Sequence, residues 1–178
     1  MKHILKPAII LFSTAVIVAT LVSVAHWLTA EPIASKNQRL RLAAMREVLP
    51  QAENFIEFPA TLSGDIVRVF QGAPVGYVVE LSPEGYSGKI NVIVGISSAD
   101  KSVAGVRILK HTETPGLGSL AASEAFYRKF DNKPLIPLKV VKNKQGDDEI
   151  DALTGATITT NAIVDAVNQA IEWYFNRT

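Results

Sequence analysis

The chain contains no cysteine, which excludes disulfides, thiolate-held metal clusters, cysteine nucleophiles and thioether attachment of a haem or flavin. Histidine is scarce. His3, His26 and His111 stand far apart, without the HxxH or HExxH spacing that a zinc or copper site would use. Neither sign of charge dominates, because 18 basic and 17 acidic side chains leave a net charge of +1. A nucleic-acid-binding face needs clustered basic residues, and here the charges are mixed along the chain, so no nucleic-acid partner is expected. Aromatic residues make up only 7% of the chain and are not interleaved with basic runs. The nicotinamide fingerprint GxGxxG after a strand is missing, so oxidation of NADH by this chain itself is not expected.

What the chain does have is an uneven distribution of apolar residues. They amount to 48% of the total, with a mean hydropathy of +0.19, and the excess lies in residues 8–28, AIILFSTAVIVATLVSVAHWL. Those 21 positions carry no Asp, Glu, Lys or Arg. As a helix they would extend about 31 Å, close to the hydrocarbon thickness of a bilayer, about 30 Å. Lys2 and Lys6 precede the run, Glu31 is the first charge after it, and Trp27 occupies an interfacial position. The basic flank predicts a cytoplasmic amino terminus and an exported remainder. Cleavage after Ser23-Val24-Ala25, leaving His26 first, is the alternative. The run continues beyond that point and exceeds an ordinary signal-peptide core, so we read it as an uncleaved anchor.

Glu31-Pro32 is expected to leave the membrane, and Ser35 with Gln38 resembles a capping box. A helix is predicted over residues 38–49, with Leu42, Met45 and Leu49 as its apolar stripe and Pro50 as its stop. Four short β-rich runs follow, at residues 66–70, 77–81, 90–96 and 103–109, separated by turn chemistry. They read as successive antiparallel strands. A short helix is predicted around Leu120–Phe130, a further strand at 138–141, and a final helix from about Thr160. That helix would bury Ile163, Val167, Ala170, Ile171 and Tyr174 on one face. The fold class is therefore α+β: one transmembrane helix, then one exported domain with an antiparallel sheet and flanking helices. The expected divisions are an anchor at 1–30, a helical connector at 31–58 and a domain at 59–178.

Three stretches hold more glycine and polar chemistry than plain connections need. In PEGYSGKI (83–90) the glycines read as turn formers and Tyr86 as a packing aromatic. In HTETPGLGS (111–119) two readings stay open. One is a stiff loop that brings backbone amides against a flat ligand; the other is a simple strand-to-helix connection capped by Ser119. His111 and Glu113 are not expected to form an acid–base pair. The third stretch, DALTGATITT (151–160), precedes the last helix and has more hydroxyls than one cap requires. Thr159, Thr160 or Asn161 accounts for a cap and Gly155 for a bend. The Thr157 hydroxyl would then lie near unpaired amides and the positive end of the helix dipole, which suits a phosphate. It is not a Walker loop, since no GK[ST] follows.

Asp151-Ala152-Leu153-Thr154-Gly155-Ala156-Thr157 matches Dxx(S/T)GAT, and this resembles the flavinylation motif of the FMN-binding domain family. That family includes the G subunit of the Rnf electron-transport complex and the C subunit of the sodium-translocating NADH:quinone oxidoreductase. GYSGKINVIVGI and then HTETPGLG, about 40 residues upstream of GAT, are similar to the Rnf G subunit in order and spacing. The resemblance implies FMN joined through its phosphate to Thr157 by a flavin transferase that recognises Asp151, Thr154, Gly155, Ala156 and Thr157. It places Glu113, Thr114, Gly116 and Leu117 toward the flavin ring, with Thr154, Gly155 and Ala156 also at the cofactor. It further implies an electron relay within an Rnf-type complex of a bacterial inner membrane, with other membrane subunits as partners and the domain on the periplasmic side. A C-type quinone-reductase subunit or a stand-alone flavinylated carrier is the alternative of the same class. A flavin-free exported binding module is the alternative of another class.

Overall fold

The computed structural model describes the backbone of residues 2–59 and 63–177, and the side chains within that span other than those of 2–5 and 28–34. Two compact units divide after Leu40. Helix α1, Lys2–Val48, accounts for the first unit and begins the second. Residues Lys6–Trp27 are long and apolar enough to cross a membrane, and none of that stretch is buried in protein. Three of its four hydroxyls do not oppose this. Ser13 and Thr20 donate to the carbonyls four residues earlier, and Thr14 to the one three earlier, so each is satisfied within the helix. The flanking Lys2 and Glu31 lie outside the described side chains.

Ser35 does not open a second helix, because α1 is continuous across Glu31-Pro32 and through Ser35. Proline's fixed φ is itself helical, so a long helix can lose one hydrogen bond there without ending. The stripe also differs: Met45 and Leu49 are buried with Ala44 and Val48, whereas Leu42 is 39% exposed. Residues 41–58, read as part of a connector, fall in the same compact unit as the sheet.

Six strands form one antiparallel sheet in chain order. They are β1 (Asn54–Glu57), β2 (Ile66–Ala73), β3 (Gly76–Leu81), β4 (Asn91–Ser97), β5 (Ser102–Lys110) and β6 (Lys133–Pro134). A separate parallel pair joins β7 (Lys139–Val141) to β8 (Glu149–Asp151). Between β5 and β6, 3-10 turns at Gly118–Ala122 and Arg128–Phe130 flank α2 (Glu124–Tyr127). Helix α3, Thr157–Asn176, closes the chain.

β4 is buried on both faces, which explains its nearly unbroken apolar run. Val92, Val94 and Ile96 face the core containing Ile163, Val167, Ala170 and Ile171 of α3. Ile93 and Val78 face Met45, Val48 and Leu49 at the end of α1. Each such side chain contributes about 1.5–3 kcal/mol through its removal from water. Arg41 at the edge of this second core reaches Glu80 in a two-point ion pair, Nη2 to Oε1 at 3.2 Å and Nε to Oε2 at 3.0 Å.

The sheet carries the loop after β3 and the loop after β5 to one end. The core-facing side of α3 brings its own amino terminus to that end as well.

Candidate functional site

The three polar stretches meet there. The β3–β4 loop closes on itself through Gly85 N–H to the Gly88 carbonyl at 2.9 Å and Ile90 N–H to the Pro83 carbonyl at 2.9 Å. Thr112 ties the β5 loop to it by donating to the Ser87 carbonyl at 3.1 Å. The third stretch turns at Gly155, whose φ of +74° is the left-handed conformation that glycine adopts without strain.

Glu113 joins all three. Its side chain is buried, with 5% of the residue exposed. Oε1 accepts from the Ser87 amide at 2.9 Å, and Oε2 accepts from the Thr159 hydroxyl at 2.5 Å. His111 takes no part in this arrangement, and its buried Nδ1 has no hydrogen-bond partner among the described residues.

The hydroxyls of DALTGATITT divide differently from the expectation. Helix α3 starts at Thr157, not near Thr160, and its N-cap residue is Ala156, which provides no side-chain cap. Thr159 and Thr160 are completely buried and do not cap. Thr159 is engaged by Glu113. Thr160 donates to the Ala156 carbonyl at 2.9 Å and accepts from the Leu153 amide at 3.1 Å. Thr157 is exposed at the first position of the helix, where the opening amides have no intrahelical acceptor. Sequence periodicity could not find this start, because the apolar stripe of α3 begins only after the first turn.

A cleft of about 420 Å³ lies between these segments. Glu113, Thr114 and Leu117 line one side, and Gly155, Ala156 and Thr157 the other. Tyr86, Gly118, Ile158 and Thr159 complete it. Thr154 and Gly116 do not line it. Thr154 is exposed, and Gly116 sits at the outer turn of its loop with φ +77° and open space around it. Asp151 is also elsewhere: its Oδ1 accepts from the Lys144 amide, so it holds the loop between β7 and β8. Tyr86 is not a packing aromatic, since 70% of it is exposed at the cleft. Ser119 caps nothing; its hydroxyl accepts from the Gly116 amide at 2.9 Å and tightens the loop.

Chemically, the cleft suits a flat apolar group ending in a phosphate. Tyr86, Leu117 and Ile158 supply apolar walls, and about 420 Å³ lies within the usual range of ligand pockets, roughly 300–1,000 Å³. The α3 amino terminus supplies amides and a positive dipole end for an anion.

Comparison with known proteins agrees with this chemistry. Residues 85–172, which include the second and third stretches whole and the first from Gly85, match the FMN-binding domain, and residues 1–48, which span α1, match the RnfG N-terminal region. The fold is shared with the C subunit of a Na(+)-translocating NADH-quinone reductase from Parabacteroides distasonis, at a TM-score of 0.54 and 20% identity over 70% of this chain and 76% of that one. The Shewanella oneidensis NqrC structure gives a TM-score of 0.53 at 20% identity, covering 72% of each chain. Every residue that lines the cleft falls within the stretch that matches the FMN-binding domain. At the level of whole sequences, the G subunit of the Na(+)-translocating ferredoxin:NAD(+) oxidoreductase complex of Acetobacterium woodii is 33% identical, covering 98% of this chain and 93% of that protein. The G subunit of the ion-translocating oxidoreductase complex of Methanosarcina acetivorans is 31% identical, covering 97% and 95%. The chain belongs to the family of Rnf-type ion-translocating oxidoreductase G subunits.

Proposed function

We propose that this chain is the membrane-anchored flavoprotein subunit of an Rnf-type ion-translocating electron-transport complex, and that FMN is esterified through its phosphate to Thr157. The observation that carries the attachment is the fate of the hydroxyls. Thr159 and Thr160 are buried and internally bonded, whereas Thr157 is exposed, lines the cleft and stands beside unpaired amides. The bond formed is Thr157 Oγ1 to phosphorus and the bond broken is the phosphoanhydride of a flavin dinucleotide donor, whose nucleoside monophosphate leaves with the hydroxyl proton, so the chain gains the mass of FMN less one water.

FMN supplies reversible electron transfer, and the protein supplies its binding, orientation and electrostatics. The first turn of α3 stabilises the remaining phosphate charge, while Tyr86, Leu117 and Ile158 exclude water from an apolar ring. The length and apolar character of Lys6–Trp27 support a single-span anchor, and the basic residues before it support an extracytoplasmic domain. Covalent attachment suits that location, where a cofactor that dissociates is not replaced. The partners are the other membrane subunits and, during maturation, a flavin transferase. The chain is an electron relay within an oxidoreductase complex, without a nicotinamide site of its own.

The test is coexpression of the full chain with a flavin transferase, followed by denaturing electrophoresis and intact mass measurement. The expected result is flavin fluorescence comigrating with the chain, lost in Thr157→Ala and kept in Thr154→Ser, which the Dxx(S/T)GAT pattern allows. A wild-type chain lacking the added mass would leave a flavin-free binding module instead. Labelling that survives Thr157→Ala would place the ester on another hydroxyl.

A further inference from the structure

We infer that Glu113 is a positioning residue. By bonding Ser87 and Thr159 together it fixes the first turn of α3 against the two loops, and so sets where the Thr157 hydroxyl stands in the cleft. The inference rests on the reading of Thr157 as flavin acceptor. Its structural half, however, stands on the carboxylate alone.

Burying a carboxylate is costly unless its oxygens are hydrogen-bonded, so the two bonds of Glu113 are conditions of its being there. They reach residues 26 and 46 positions away in the chain, one in each of the other two motifs. The surroundings are shaped to it. A Cβ on Gly85 would lie 2.6 Å from Oε1, and a Cβ on Gly118 would lie 2.4 Å from Oε2. The two glycines therefore leave the slot that the carboxylate fills.

Helix α3 needs such a constraint because Ala156 gives it no side-chain cap. Its first turn is held by Thr160, folded back on Ala156 and Leu153, and by Thr159, drawn to Glu113. Thr157 and Thr159 are two residues apart, about 200° around the helix. The inward pull on Thr159 therefore turns Thr157 outward. Glu113 acts through the helix and not as a base on Thr157, since its bonds go to Ser87 and Thr159.

In glutamine the two donors, held here by separate carboxylate oxygens, meet one carbonyl oxygen and one NH2 group, which at best exchanges a charge-assisted bond for a weaker neutral one. In the full chain incubated with flavin transferase and a flavin dinucleotide donor, Glu113→Gln should slow FMN attachment by about ten- to a hundredfold, the loss that misplacement by about 1 Å produces. Thr159→Val should do the same, Thr159→Ser should restore the wild-type rate, and the Glu113→Gln/Thr159→Val double variant should be no slower than either single one. Hydrogen exchange on the flavin-free chain gives a second measure: in Glu113→Gln the Ser87 amide and the first turn of α3 should exchange faster while β3 and β4 stay protected. Attachment at the wild-type rate in Glu113→Gln overturns the inference. So does Thr159→Ser being as slow as Thr159→Val, or unchanged protection at Ser87. If the wild-type chain accepts no flavin, the functional reading fails, and the exchange measurement still decides whether Glu113 holds the helix start. Should Glu113→Gln fail to fold, the Thr159 pair decides the question.

Discussion

Replacing Gly118 by alanine is the sharpest perturbation of the cleft. The added Cβ would lie 2.4 Å from Glu113 Oε2, 2.8 Å from Thr159 Oγ1 and 2.9 Å from Glu113 Cβ. A flexible side chain could swing its far end aside cheaply. Glu113 cannot, because both oxygens are bonded and its own Cβ is also too close. Displacement forfeits the bond between Thr159 and a carboxylate, about 1.5–3 kcal/mol, and overpacking adds about 1–3 kcal/mol. We expect a loss of about 3–5 kcal/mol, or roughly 10–20 °C in the midpoint of thermal unfolding for a domain of this size. Gly116→Ala is the control. That position has φ +77° but nothing within 4 Å, so only the left-handed backbone is penalised, by about 1–2 kcal/mol. Thermal unfolding of the full chain in detergent, with flavin attachment measured on the same samples, separates the two. Gly118→Ala should be the less stable and slow to accept flavin; Gly116→Ala should accept it normally. Equal stability of the two variants would refute the tight slot around Glu113.

Two further outcomes follow from interactions away from the cleft. Arg41→Met should destabilise the domain by about 3–5 kcal/mol in urea unfolding, since it strands Glu80, whose side chain is only 4% exposed. Arg41→Met combined with Glu80→Met should recover most of the loss; a double variant as weak as the single one would show that the ion pair is not what matters. Glu149 is held below its ordinary value of 4.5 by the amides of Gln145 and Gly146, at 2.7 and 3.0 Å. Its folded pKa is the lower one, so its stabilisation is present above pH 4.5 and fades as pH falls through the folded value. Wild-type stability should therefore decline more steeply than that of Glu149→Gln below pH 4.5. Parallel acid profiles would contradict that sign.

Much of the fold is legible in the sequence because local chemistry and tertiary packing agree. The runs at 77–81, 90–96 and 103–109 lie between turns rich in Gly, Pro, Ser and Asp and form β3, β4 and β5 in antiparallel order. The apolar stripe of α3 is buried as its spacing requires. β1 is not legible in this way, because Asn54–Glu57 has no run of alternation and its pairing with β2 is what makes it a strand. Spacing alone puts Leu42 in a buried stripe, yet the sheet meets α1 one residue round, at Met45, Val48 and Leu49.

The same division holds at the cleft. Sequence alone determined that DALTGATITT offers a bend, a helix start and surplus hydroxyls, because those follow from residue type and near neighbours. It also brought out the three motifs that line the cleft. Only the tertiary structure decided which hydroxyl is exposed. Thr159 is engaged by a carboxylate 46 residues earlier in the chain, and a hydrogen bond across that separation exists only once the sheet has brought the β5 loop to the foot of α3.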